Sequence, residues 1–324
     1  MVAASPDDHT HGSAMMPLQA RYSMTAWEAG VFSARRALAN ADFKGSRRLQ
    51  KLLARYRPSR DVICATNYGF RLIVNPQMDP YQNTIFESGT YEPGTLELMA
   101  HVLRPGDTFL DVGANIGLMS IAASQYVGTT GRVFAFEPEP AMFARLLENL
   151  DLNGVRNVDA IQTALGARDE VRTVFAYPAI NIGRASLVQS PGAVPTGQAA
   201  VRTLASFVEE RQLDRVRMIK IDVEGFEYEV LLGAQNCLTV ERPPILCVEC
   251  DDEMPRPDRT VSMSTIHELI LGIRQYQPYA LTRSKFAKDP RMAPVDDIGN
   301  VRRHDNVIYV PAYMKAELPA FLFT

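Results

Sequence analysis

The chain has 324 residues, 46% of them hydrophobic, and a net charge of −3, which fits one large globular domain with appendages. Its longest apolar runs are strand-sized, well short of the ~20 residues a membrane-spanning helix needs. Four cysteines, Cys64, Cys237, Cys247 and Cys250, are too few and too scattered for a disulfide framework and predict reduced thiols. Cys247 and Cys250 match C-x-x-C, but they fall in a predicted strand where positions three apart face opposite ways, and no second pair follows. No zinc site is expected there.

The amino terminus is polar and acidic and has no basic start or apolar stretch of a secretory signal. It predicts a disordered leader over residues 1–22 of a cytoplasmic protein. From Arg35 to Arg60 there are nine Lys or Arg against one acid, Asp42, so the remainder of the chain carries −11. Leu49, Leu52, Leu53 and Tyr56 recur at helical spacing within this arm, as in an amphipathic helix packed on a domain. Peripheral contact with an anionic membrane surface or a lipid-linked acceptor is the alternative. Nucleic acid is not the expected partner, because aromatic residues are not interleaved with these charges.

Residues 24–56 read as one or two helices broken near Gly45-Ser46, and Asp61–Ala65 and Phe70–Asn75 as a hairpin turned at Asn67-Tyr-Gly69. This N-terminal helical arm and hairpin cap, residues 23–90, precedes a main domain over 91–324. A helix at about 94–103 is placed to deliver Tyr91 and Glu92 beside the next loop. Strands are then expected near 107–112, 132–137, 157–161, 217–222, 244–250, 277–282 and 305–310. Helices fall near 116–126, 139–153, 203–213 and 226–240. The alternation predicts an α/β, doubly wound, mostly parallel sheet. An insertion at about 170–202 breaks it, with short strands at 171–177 and 186–189 and a turn-rich linker over 191–197.

Thr108-Phe-Leu-Asp-Val-Gly-Ala-Asn-Ile-Gly117 is an apolar strand running into a glycine loop ahead of a helix, the arrangement in which open α/β sheets hold adenosine-containing ligands. Glu137 ends the next strand twenty residues after Gly117, where a carboxylate accepts hydrogen bonds from a ribose. Asn115 replaces the second glycine of the dinucleotide fingerprint, and Asp111 adds negative charge that repels a pyrophosphate but favours an ammonium or sulfonium. The ligand implied is S-adenosylmethionine. A nicotinamide-dependent oxidoreductase and a non-catalytic nucleoside-binding scaffold are the alternatives.

Asp111–Gly117, Phe136-Glu-Pro138, Asn149-Leu-Asp-Leu-Asn-Gly154, Ala164-Leu-Gly166 and Ile219-Lys-Ile-Asp-Val-Glu-Gly225 resemble, in this order, the motifs of FkbM-type methyltransferases, and the resemblance also takes in Gly89-Thr-Tyr-Glu-Pro-Gly94 ahead of the first strand. The resemblance covers roughly residues 70–250. It implies a seven-stranded class I methyltransferase sheet with an antiparallel last strand, and O-methylation of a hydroxyl on a sugar, glycan or secondary metabolite. It also implies that Gly113, Asn115 and Gly117 turn beneath the methionine part and that Glu137 takes the ribose. Asp111 and Glu92 then lie near the amino group, with Thr163 and Ala164 by the adenine. Asp222 and Glu224, at the carboxyl edge of the fourth main strand, are two carboxylates at the mouth of the site. Asp222 is expected beside the cofactor; Glu224, Asp222 and His304 are the candidate bases. The Asp222–Glu224 pair holding a divalent cation is the alternative, and no metal ligand is assigned. Glu249, followed by Asp251, Asp252 and Glu253, is a second acidic cluster.

Overall fold

The computed structural model of the protein describes residues 17–39, 48, 49, 52, 53, 56–177, 181–189, 191–250, 260–302 and 304–324. Helices α1 (Leu18–Tyr22) and α2 (Ala26–Ala39) lead to an antiparallel hairpin, β1 (Val62–Ala65) with β2 (Arg71–Val74), as two apolar runs joined by Asn67-Tyr-Gly69 predict. Residues 18–22, expected in the leader, are thus helical. The break anticipated at Gly45-Ser46 lies outside the described residues. Arg35 and Arg57 of the basic arm pair with Glu87, and Arg60 pairs with Glu28 at 2.6 Å, so these three charges are spent within the molecule.

Helix α3 (Pro80–Ser88) starts where Asp79 accepts the Gln82 N–H at 2.7 Å with proline at the first helical position, a start in which the cap supplies the acceptor and the proline has no N–H to lose. Helix α4 (Pro93–Val102) follows. The central unit then alternates β3 (Thr108–Val112), α5 (Leu118–Val127), β4 (Arg132–Phe136), α6 (Pro140–Leu152) and β5 (Val158–Ile161). A smaller sheet comprises β6 (Ala164–Leu165), β7 (Glu170–Tyr177), β8 (Asn181–Ser186) and β9 (Val194–Arg202). After α7 (Leu204–Glu210) the main sheet resumes with β10 (Met218–Ile221), α8 (Glu227–Leu238), β11 (Ile245–Cys250), α9 (Met263–Ile273), β12 (Tyr276–Leu281), β13 (Met292–Pro294) and β14 (Asp305–Pro311).

The main sheet has the order β13-β12-β14-β11-β10-β3-β4-β5. β5, β4, β3, β10 and β11 run parallel, and β14 is antiparallel to both β11 and β12. All seven expected strands are present in the class I methyltransferase arrangement, and the three-residue β13 adds an eighth at one edge. Both faces are covered, so the central strands are mostly apolar on both sides, and Asp111, Lys220 and Glu249 are the charges they carry toward the carboxyl ends. Phe109, Val133, Met218 and Ile245 enter a core with α4, α5, α6 and the hairpin. Leu110, Phe134, Ile219 and Leu246 enter the opposite core with α7, α8, α9 and the small sheet.

The insertion differs from expectation. Residues 194–197, expected in a linker, belong to the long strand β9, and the small sheet has the order β6-β9-β7-β8. Pro195 is tolerated because the β7–β9 register shifts there and only β7 pairs that stretch of β9. The strand expected over 186–189 instead ends at Ser186. Because strand order turns between β3 and β10, a crevice opens at their carboxyl ends.

Candidate active site

The crevice is a cleft of about 440 Å³, within the range of small-ligand sites. Its floor is the loop after β3. The N–H groups of Gly113 and Ala114 both donate to the Phe136 carbonyl, at 3.0 and 2.9 Å, tying the loop to the end of β4. Gly113 has a φ of 88°, and a Cβ there would lie 1.9 Å from the Asp222 carbonyl oxygen, so only glycine fits. Asn115, also left-handed at φ 50°, accepts the Ile116 N–H on its side chain.

Glu137 is held from both sides. One carboxylate oxygen accepts the Asn115 N–H at 2.8 Å and the other the Glu139 N–H at 2.9 Å. Each keeps lone-pair capacity on a carboxylate that lines the cleft, as two vicinal hydroxyls require. Burial pushes this carboxyl up to about 7, against the opposing pull of those two N–H groups. Thr163 and Ala164 line the wall beyond β5, while Ala185, Ser186 and Leu187 close the cleft from the small sheet. The Ser186 hydroxyl donates to the Glu224 carbonyl at 2.8 Å. Buried Glu227 accepts the Val223 and Gly225 N–H groups, fixing the loop that carries Glu224 at φ 55°.

The mouth is an ion network assembled from distant segments. The Lys285 ammonium, 1% exposed, lies 2.7 Å from Glu92 and 2.5 Å from Glu249. Lys220 lies 2.6 Å from Asp222, and Asp222 and Glu249 share a hydrogen bond. Glu92 also accepts from Thr95 and Asn306, both at 3.1 Å. Burial and then the Asp222 charge push the Glu249 carboxyl well above its ordinary value. Burial alone would raise Asp222, but Lys220 and Lys285 hold it below its ordinary value. The oxygens of Glu92, Asp222 and Glu249 lie within 4.8 Å of one another, a grouping able to ligate a cation. It differs from the Asp222–Glu224 pair anticipated for that role, and the Lys285 ammonium already supplies positive charge to it.

Glu92, Gly113, Asn115, Glu137, Thr163, Ala164, Asp222 and Glu224 therefore all line one cleft. Three expected residues stand back from it. Asp111 lies beneath the floor, where its buried carboxylate accepts the Ser120 hydroxyl at 2.5 Å. Gly117, at φ 93°, caps α5 where a Cβ would meet Leu146 at 2.5 Å, so it shapes the turn. His304 is exposed in the turn before β14 and is not part of the lining. Sequence reasoning gave no role to Lys220, Lys285, Tyr81 or Phe286. Lys220 lies within a recognisable motif, but the segment Arg283-Ser-Lys-Phe-Ala-Lys288 carries no local signal. Of the second acidic cluster, Glu249 is in the cleft, and Asp251, Asp252 and Glu253 lie outside the described residues.

An open sheet with a glycine loop and a carboxylate-ended neighbouring strand at its switch point defines a nucleoside-binding, doubly wound α/β protein. More particularly, the chain belongs to the FkbM methyltransferase domain family, whose model matches residues 111–279. It is 33% identical over 155 residues to Methyltransferase 1 of Beauveria bassiana, covering 41% of this chain and 60% of that one. It is 30% identical over 149 residues to the hexuronic acid methyltransferase AglP of Haloferax volcanii, covering 45% and 58%. It is 32% identical over 164 residues to the 31-O-demethyl-FK506 methyltransferase FkbM of Streptomyces tacrolimicus, covering 41% and 62%. The chain thus spans about three fifths of the length of these relatives. A solved S-adenosylmethionine-dependent O-methyltransferase from Thermotoga maritima gives a TM-score of 0.36 at 13% identity, covering 80% of this chain and 94% of that one.

Proposed function

We propose that this protein transfers a methyl group from S-adenosylmethionine to a hydroxyl of a sugar, glycan or secondary metabolite. The observation that carries the reading is Glu137: a buried carboxylate locked by two backbone N–H groups, with acceptor capacity left over, on the wall of a nucleoside-sized cleft. The names of two relatives, a hexuronic acid methyltransferase and a 31-O-demethyl-FK506 methyltransferase, support hydroxylated acceptors. A nicotinamide cofactor fits less well. The Asn115 N–H is already committed to Glu137, and a side chain stands where the fingerprint needs bare backbone against a pyrophosphate.

The cofactor's part is to supply a methyl group on a positively charged sulfur. Glu137 would hold the ribose, Thr163 and Ala164 would flank the adenine, and the loop at 113–115 would form the floor under the remainder. The chain's catalytic work is alignment first, because displacement at a methyl carbon gains most from a fixed line of attack. Glu224, at the mouth, is the residue we assign to take the acceptor's proton; Asp222 stays ionised between the lysines and contributes negative charge beside the cationic ligand. We place this activity in the cytoplasm, in keeping with the thiols of Cys64, Cys237 and Cys247, which are free. Among the described residues no helix is long and apolar enough to cross a membrane.

Calorimetric titration with S-adenosylhomocysteine tests the reading. Micromolar binding is expected, and no heat at millimolar ligand would sink it. Glu224→Gln should slow turnover while leaving that affinity within about twofold, since general-base loss acts on chemistry rather than on cofactor contacts. Normal turnover in this variant would move the base elsewhere.

A further inference from the structure

Above the ion network, the cleft has an aromatic rim that the proposed chemistry does not use. Tyr81, Tyr91 and Phe286 all line it. The Tyr81 and Tyr91 rings meet edge to face with centroids 4.6 Å apart, and Tyr91 meets Phe286 in the same way at 5.5 Å. Each ring thus supports the next, and the outermost, Phe286, is 51% exposed. An apolar ring held half open beside a cleft adds little to the core.

The rim is also rigid. Gly94 N–H donates to the Lys285 carbonyl at 2.8 Å, and Lys285 N–H donates to the Asp305 carboxylate at 2.8 Å. Phe286 N–H donates to the Ser284 hydroxyl at 3.2 Å. A Cβ at Gly94 would come within 2.7 Å of the Ala287 carbonyl, so the segment is clamped on the start of α4. The buried Lys285 ammonium, tied to Glu92 and Glu249, anchors the residue next to the ring. A preset aromatic of this kind offers contact area at little entropic cost.

From these observations, and resting on the methyl-transfer reading above, we infer that Tyr91 and Phe286 form a stacking platform for a saturated, polyhydroxylated ring, so that the acceptor is a sugar rather than a planar aromatic. Ring C–H groups carry partial positive charge and suit the negative face of a phenyl ring. Hydroxyls on the same ring find acceptors in the carboxylates of Asp222 and Glu224 at the mouth. The rim therefore favours a neutral donor-rich ring, with an apolar face for Phe286 and a hydroxyl edge turned toward Glu224.

The test is saturation-transfer NMR on the full chain loaded with S-adenosylhomocysteine, with methyl β-glucopyranoside and catechol as competing probes. Ring protons of the glucoside should receive saturation and catechol should not displace it. Phe286→Ala should weaken the glucoside about tenfold, the size of a lost stacking contact. Phe286→Trp should restore it, while S-adenosylhomocysteine affinity by calorimetry stays unchanged in both variants. Equal glucoside binding in Phe286→Ala, or displacement by catechol, would overturn the platform. Failure of wild-type protein to bind S-adenosylhomocysteine would instead strike the methyl-transfer reading, and the sugar contact is then read on the unloaded protein.

Discussion

The floor of the cleft and its mouth are built in different ways. The floor uses backbone: two N–H groups on the Phe136 carbonyl, two more on Glu137, and a glycine where any Cβ would strike the Asp222 carbonyl. Its parts lie within one strand–loop–helix unit and at the ends of the two strands that flank it. The mouth uses charge. Glu92, Lys220, Asp222, Glu249 and Lys285 come from four segments, and Asn306 reaches Glu92 from 214 residues away in sequence. A floor of this kind fails when a Cβ is added, and a mouth of this kind fails when a charge is deleted.

The largest expected effect follows from deleting the most central charge. Lys285→Met would leave Glu92 and Glu249 facing each other in a buried site without their ammonium. Removing one partner of such a pair costs about 3–5 kcal/mol of stability, to be read as a lower urea midpoint with an unchanged m-value. Adding Glu92→Gln to the variant should recover part of that loss, because the stranded negative charge goes with it. A midpoint within experimental error of wild type would mean that the mouth is solvated and that the contrast with the floor is false.

The same contrast explains what could be read from the chain. The floor was legible because glycine and acidic strand-end positions are local signals: Gly113 and Glu137 stand where the motif spacing placed them. Asp111 stood in the right motif but one layer too deep, since its strand position points the carboxylate at Ser120 and not at the cleft. The Asn-Leu-Asp-Leu-Asn-Gly motif carried no assigned role. In the structure Asn149 joins the Ile73 N–H to the Ile116 carbonyl, at 2.7 and 2.8 Å, and so docks the hairpin on the glycine loop. Lys285 could not have been foreseen, because its meaning lies wholly in partners that only the fold brings near. Helix α9 was missed although Ser262 and Thr265 form a capping box at its start. Residues 194–197 were read as a linker from Pro195 and Gly197, but pairing with β7 outweighs those local preferences.

Within the floor, Glu137 should dominate ligand affinity. Glu137→Ala should weaken S-adenosylhomocysteine binding by about 1–3 kcal/mol, the loss of a charge-assisted hydrogen-bond pair; unchanged affinity would show that the ribose is held elsewhere. The ionisation of this residue gives a smaller and sharper test. Its carboxyl is raised from 4.5 to about 7 by burial, so at pH 6 it is largely protonated and at pH 8 largely a carboxylate. Ribose hydroxyls donate best to the carboxylate, and affinity should rise about tenfold over that interval, following the ionised fraction. Stability runs the other way. A folded pKa above the unfolded one means that the folded state holds the extra proton, so this contribution is complete below about 4.5 and is lost as pH rises through about 7. Glu137→Gln should flatten both profiles, and a slope that survives in the variant would belong to another group.

The smallest expected effect falls on His304, and it bounds the mouth. The strand that follows its turn opens with Asp305, which accepts the Lys285 N–H, and Asn306, which bonds Glu92 and Thr95. Those two neighbours reach inward, whereas His304 is exposed and outside the cleft lining. His304 also sits at φ 55°, a conformation that asparagine tolerates better than alanine, so His304→Asn tests the imidazole without adding backbone strain. Turnover and acceptor KM should stay within about twofold of wild type, as for a surface substitution. If turnover instead fell tenfold with cofactor affinity intact, the proton would be leaving through this turn. The ion network would then be an open relay rather than a closed frame, and the division between a floor made of backbone and a mouth made of paired charge would no longer hold.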